Sequence, residues 1–261
     1  YNINNFPYNI IAEAPDQKRR KGNQGRRNNK RKYKDLYCAF DIESTNDYSI
    51  NQAFMYIWQF QLGPDETYTG RSWKECMRFF RRLAASCADN EYYVIYVHNL
   101  SFEFQFLSGQ YEFTDDEVFC VESRKILKCD MLNHLEFRCS YLHSNMSLAE
   151  YLDKMGVEDQ KLSGYDYDMI RYPWTPLTDK ELEYCIHDVK GLVQALKIEM
   201  EHDNDNLYSI PLTSTGYVRR DVKHAMRYVP RHYVKDQLPD WETYTLLREA
   251  FRGGNTHANR F

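Results

Sequence analysis

The chain has 261 residues, a hydrophobic fraction of 43% and a formal net charge of −4. That length suits one sizeable domain, or one domain with an extension, and the composition supplies a full core. No run of about 18 apolar residues offers a membrane span, and no charged start followed by an apolar stretch reads as a secretion signal, so membrane and secreted classes are set aside and the cytoplasm is the expected location.

The charge is segregated. Residues 18–34 hold ten Lys or Arg and no acid, leaving 24 basic against 38 acidic residues elsewhere, a balance of −14. Two compatible readings apply to this run: a solvated, disordered tail, or an arm that holds nucleic-acid phosphates. Residues 1–34 are therefore expected to form a basic, disordered extension ahead of the first strand. An apolar run, Leu36 to Phe40, leads through Asp41 to Glu43 and reads as a buried strand over 36–43. Phe54–Leu62 is β-prone, and 66–70 can pair with it across Gly63-Pro64. Ser72-x-x-Glu75 is a capping box that opens a helix to about residue 88, with Trp73, Cys76, Met77, Phe80, Leu83, Ala84 and Cys87 in helical phase. Tyr93–His98 reads as a buried strand, and a short helix begins near Ser101. Strands are expected over 117–122, 126–132 and 134–139, and a helix over Ser147–Met155, stopped by Gly156. Residues 158–177 read as an irregular connection because prolines 173 and 176 oppose helix. Thr178-x-x-Glu181 caps a long helix with Leu182, Cys185, Ile186, Val189, Leu192, Val193 and Leu196 in phase. Further helices are expected near 213–227 and 241–251. Mixed strands and helices of this order predict an α/β layer structure.

Seven scattered cysteines without a C-x-x-C pair predict free thiols in a reducing compartment. The 22 tyrosines can stack on bases, but they are also ordinary core material.

Four acids stand out. Asp41 and Glu43 are two apart on a strand and so share a face. Asp188 lies four residues after Tyr184 on a helix, so these two also share a face. Glu103 sits where a strand meets a helix, in His98-Asn99-Leu100-Ser101-Phe102-Glu103. Taken singly, D-x-E and Y-x-x-x-D are common patterns. Together, oxygen ligands of this kind suit a pair of hard divalent cations able to clamp the attacking and leaving oxygens of a phosphodiester.

In this order FDIEST (40–45), HNLSFEFQFL (98–107) and YCIHD (184–188) resemble the three exonuclease motifs of proofreading DNA polymerases. They look like those of the family B, protein-primed polymerases of bacteriophages, linear plasmids and related mobile elements. Lys161, shortly before Asp166-Tyr167, resembles a lysine of that family. Asn145-Met146-Ser147-Leu148 resembles its single-strand contact segment. Phe251-Arg252-Gly253-Gly254 resembles the Y-x-G-G motif that joins exonuclease and polymerase domains, with phenylalanine in place of tyrosine. A second departure is Glu103, where the family usually has aspartate.

The resemblance covers about 36–261. It implies a ribonuclease-H-like (DnaQ-like) 3′→5′ exonuclease fold with a central mixed sheet flanked by helices. The domain would span 35–230, and 231–261 would begin the connection to a polymerase domain. It also implies hydrolysis of single-stranded DNA from the 3′ end in a bacterial host, with two Mg²⁺ or Mn²⁺ ions held by Asp41, Glu43, Glu103 and Asp188. Tyr184 would orient water or phosphate, and Lys161 would neutralise phosphate charge. Ser44, Thr45, Asn99, Phe102, Ser147, Leu148, Arg252, Gly253 and Gly254 would contact DNA, with Phe102 and Leu148 packing on bases. A terminal (priming) protein is an implied partner. Three bland readings stay open: Asn99 as a helix cap, Phe102 as a core aromatic and Tyr184 as a buried helix tyrosine. His98 and His187 read as structural neighbours. A stand-alone DNA or RNA exonuclease, and a weakened nucleic-acid- or protein-binding module of the same fold, are the alternatives.

Overall fold

The computed structural model describes residues 1, 3–18, 31–122, 125–158, 166 and 168–250. Its centre is a mixed sheet of eight strands: β1 (Lys32–Tyr33), β2 (Cys38–Asp47), β3 (Gln52–Leu62), β4 (Glu66–Gly70), β5 (Glu91–Val97), β6 (Val118–Glu122), β7 (Lys125–Met131) and β8 (Leu135–Cys139). Their order is β4-β3-β2-β5-β8-β7-β6, with β1 also on β5. β2 runs parallel to β5, and β5 parallel to β8, while the β2–β3, β3–β4, β6–β7 and β7–β8 pairs are antiparallel. The turn between β3 and β4 uses Gly63 at φ 60. At the end of β4, a Cβ on Gly70 would fall 2.4 Å from the Trp58 ring, so only glycine lets that indole lie flat.

Helices cover both faces. On one, α2 (Trp73–Ala85) buries Cys76, Met77, Phe79, Phe80, Leu83 and Ala84 against Phe40, Ile42, Trp58, Ile95 and Phe137. Ser72 caps it by accepting from the Glu75 backbone N–H. On the other, α6 (Asp179–His202) and α5 (Leu148–Met155) pack over Ala39, Val94 and Tyr96. α6 carries the expected capping box at Thr178/Glu181, α5 carries one at Ser147/Glu150 that the sequence reading did not name, and α5 stops as expected at Gly156, in the left-handed region. All seven cysteines are unpaired, and five are buried.

Several elements differ from the sequence reading. Two short helices, α4 (Ser140–Ser144) and α8 (Arg231–Asp236), have too few residues to show a period. Strand β2 runs on to Asp47. The contacts divide the chain into two compact units, Tyr1–Ser214 and Thr215–Phe261. The second begins within α7 (Ser214–Ala225), which buries no residue, and includes α8 and α9 (Trp241–Ala250).

The largest correction concerns residues 1–34. Within the described residues they are folded, and 19–30 lie outside them. Ile3, Phe6 and Ile11, the last in α1 (Tyr8–Ala12), belong to the core, and Phe6 meets Phe79 at 4.8 Å between ring centroids. Apolar side chains this well buried outweigh the basic composition that follows them. Lys34 is buried, donates to the carbonyls of Ala12 and Ala14, and pairs with Glu91 at 3.0 Å. Arg31 grips Asp130 through two nitrogens at 2.7 and 2.8 Å and reaches Glu136 at 2.5 Å. Arg138 also holds Glu136, at 2.6 Å.

Burial pushes the Glu136 carboxyl up, but Arg138, Lys128 and Arg31 outweigh it and hold its pKa at about 2. A carboxylate held below its unfolded value of 4.5 contributes stability that is present above about pH 4.5 and lost as pH falls toward 2. Glu136→Gln should therefore flatten the acid limb of an unfolding curve over that window. Near pH 7 it should cost roughly 3–5 kcal/mol, because it leaves Arg138 buried without its partner. Urea unfolding at several pH values measures both.

Candidate active site

Strand β2 alternates regularly beside an irregularity of its partner. Phe40 and Ile42 enter the core under α2, which leaves Asp41 and Glu43 on the α6 face. Between Glu43 and Ser44 the register with β3 shifts, so Glu43 faces Ile57, Ser44 faces Met55 and Tyr56 is the extra residue. Tyr56 and Ile57 then both pack against Tyr184 and Cys185 of α6. This fixes the helix over the strand and brings Asp188, one turn after Tyr184, to the same place.

Asp41, Glu43 and Asp188 each offer a carboxylate oxygen within 4.8 Å of the others. Like charges this close in a partly buried site repel strongly unless something positive lies between them. An all-oxygen donor set of this kind fits a hard divalent cation. The Cys185 thiol records the same field: burial first, then Glu43, Asp41 and Asp188, push its pKa up.

Glu103 enters from the first turn of α3 (Leu100–Leu107) and is 2% exposed. Burial and the neighbouring Asp41 charge raise its pKa well above the usual carboxylate range, and the two side chains are hydrogen-bonded to each other. The shift favours the neutral carboxyl beside Asp41, and Glu103 Oε2 is buried without a hydrogen-bond partner among the described residues. Asp41 thus stands between the three-carboxylate cluster and Glu103.

Sequence reasoning missed Gln59. It lies opposite Asp41 in the β2–β3 register, is 0% exposed, and its Nε2 donates to Asp41 Oδ2 at 2.6 Å. Its Oε1 is buried without a hydrogen-bond partner among the described residues. The available signal was a glutamine within the apolar run FMYIWQFQL, at the position that a Gly63-Pro64 hairpin pairs with Asp41.

The remaining candidates divide. Asn99 starts α3 at φ 70, but its side chain makes no capping bond and is exposed. Phe102 is 38% exposed, with its ring 5.5 Å from Phe106, and is not a core aromatic. Ser44 is half-buried, and Thr45 is buried on the carboxylate face. Tyr184 is buried among Tyr56, Ile57 and Cys185. The Ser147 hydroxyl is engaged in capping α5. Leu148, expected to pack on bases, is 7% exposed and packs with Tyr151 and Leu152. His98 meets Ser140 Oγ at 3.1 Å, and His187 lies 3.9 Å from Glu183. Lys161, Arg252, Gly253 and Gly254 lie outside the described residues.

No family model and no curated protein matches the chain. Solved structures do. Phi29 DNA polymerase complexed with primer-template DNA and incoming nucleotide superposes with a TM-score of 0.61 at 15% identity, covering 84% of this chain and 39% of the polymerase. The same polymerase complexed with single-stranded DNA gives 0.55 at 14% identity, covering 66% and 32%. The Aedes aegypti Nibbler EXO domain gives 0.44 at 12% identity, covering 68% and 83%, too loose a likeness to carry weight. The fold is the ribonuclease-H-like fold of a central mixed sheet flanked by helices, as expected, and is shared with Phi29 DNA polymerase. The chain spans about two fifths of the polymerase it matches.

A carboxyl whose folded pKa is raised costs stability as pH climbs from its unfolded value toward the folded one. In EDTA, wild-type stability should therefore decline as pH rises above about 4.5. Glu103→Gln places an uncharged amide beside Asp41 and should remove part of that decline, melting at or above wild type at pH 8 with a smaller difference at pH 5. Thermal melts in EDTA at the two pH values check this.

Proposed function

We propose that the chain is a metal-dependent 3′→5′ exonuclease, the proofreading domain of a protein-primed DNA polymerase, which removes 3′-terminal nucleotides from single-stranded DNA. The observation that carries this is the meeting of Asp41, Glu43 and Asp188 within 4.8 Å on a fold shared with Phi29 DNA polymerase. That neighbour was solved with single-stranded DNA, which supports a DNA substrate here. Among the described residues no helix is long and apolar enough to cross a membrane.

Asp41, Glu43 and Asp188 would hold Mg²⁺ or Mn²⁺, with Glu103 beside Asp41 as the remaining carboxylate. Bound ions of this class supply an activated water and charge neutralisation at the scissile phosphate. The protein's own part is positioning. Gln59 fixes the Asp41 carboxylate through one oxygen, as a hydrogen-bonded neighbour does for a ligating group. Exposed Asn99 offers an amide donor to phosphate or sugar, and Phe102 offers a ring face to the terminal base. Tyr184, held against Tyr56 and Ile57, sets the helix turn that presents Asp188. Lys161 would neutralise phosphate charge, and Arg252, Gly253 and Gly254 would guide the strand. The polymerase domain and a priming protein are the partners this reading implies.

Asp41→Ala/Glu43→Ala should reduce digestion of a 5′-labelled single strand in Mn²⁺ to background while wild type shortens it from the 3′ end. Equal digestion by both proteins would remove the catalytic assignment. Gln59→Met, close in length and without the amide, should lower Mn²⁺ affinity about 10–100-fold, read by the free-Mn²⁺ electron paramagnetic resonance signal. Unaltered affinity would show that Asp41 needs no such anchor.

A further inference from the structure

The connection into α6 carries a feature that the carboxylate site does not use. Tyr172 and Trp174 lie flat on one another, with ring centroids 5.0 Å apart and planes within 6°. Tyr172 covers one face of the indole, yet Trp174 remains 77% exposed. A large aromatic held out in water is unfavourable in isolation, and this one is firmly held. Arg71 donates through Nη2 to the carbonyls of Tyr172 and Thr175, at 3.0 and 2.7 Å, and through Nε to the carbonyl of Tyr56, the extra residue of β3, at 2.5 Å. The Tyr172 N–H donates to Thr175 Oγ1 and the Thr175 N–H to the Tyr172 carbonyl, each at 2.9 Å. The Tyr172 hydroxyl donates to Asp47 Oδ2 at 2.6 Å, and Phe54 meets the Tyr172 ring edge-on at 5.8 Å.

The anchor point places the pair. Asp47 is four residues beyond Glu43 on β2, and residues an even number apart on a strand share a face. At about 3.3 Å per residue the separation along the strand is roughly 13 Å. The aromatic pair is thus tied to the same strand face as the carboxylates, a short step from them. We propose that Trp174, backed by Tyr172, is a stacking platform for a base of single-stranded nucleic acid whose 3′ end lies at the carboxylate cluster. Every base presents a π-face, so such a platform accepts any sequence, and a rigid aromatic loses little conformational freedom on binding. This role rests on the nuclease reading for the presence of a single strand.

The experiment uses the full chain and a fluorescein-labelled oligothymidylate in EDTA, so that binding is read by anisotropy without cleavage. Trp174→Ala should weaken binding between about five- and a hundredfold, Trp174→Phe should stay near wild type, and both should melt as wild type does because the side chain is largely exposed. In Mn²⁺, Trp174→Ala should raise KM with kcat unchanged. Equal oligothymidylate affinity of Trp174→Ala and wild type overturns the platform while leaving the nuclease reading intact. Failure of wild type itself to bind the oligonucleotide overturns both.

Discussion

Asp41 is the point on which the site depends. Glu43 follows it two residues later on β2, Asp188 descends from α6, Glu103 enters from α3, and Gln59 reaches across from β3. Four carboxyl groups do not gather of their own accord, since each added charge raises the cost of the next. The surrounding fold enforces the gathering. Core packing sets the spacing of strand and helix, through Tyr56, Ile57, Tyr184 and Cys185 on one side and Phe40 and Ile42 on the other. The amide that Gln59 donates to Asp41 offsets part of the repulsion, and the raised pKa of Glu103 records what remains.

The opposite solution appears elsewhere on the sheet. Glu136 is as deeply buried as Glu103, yet it stays ionised because Arg138, Lys128 and Arg31 surround it. One buried acid is thus neutralised by protein cations and contributes to stability. The other is left beside a second acid, Asp41, and burial and that charge raise its pKa without an offsetting cation among the described residues. A buried carboxylate left uncompensated in this way is what the proposed cation site would use.

Much of this was legible in the residues. The strand holding Asp41 and Glu43, the Ser72 cap of α2, the capping box of α6, the Gly156 stop of α5 and the helical phase of Asp188 and Tyr184 all follow from local periodicity and hydrogen-bonding chemistry. What escaped depends on pairing or burial that sequence does not display. Gln59 takes its meaning only from the register of β3 against β2. Leu148 reads as a base contact in the sequence, and its packing with Tyr151 and Leu152 shows only in the structure. The first 34 residues looked like a tail because ten cations dominate their composition, while Ile3, Phe6 and Ile11 determine where the described part goes. Trp174 lies in a connection without any period, and only its contacts through Tyr172, Arg71 and Asp47 give it a place.

The central claim is that the carboxylate cluster receives divalent cations. Anomalous diffraction at the manganese edge from crystals soaked in Mn²⁺ tests it most directly. The account predicts an anomalous peak within coordination distance of carboxylate oxygens of Asp41, Glu43 and Asp188, and a second beside it, about 4 Å away, on the side of Glu103. Manganese bound elsewhere, or none at these carboxylates while the fold stays intact, would contradict it.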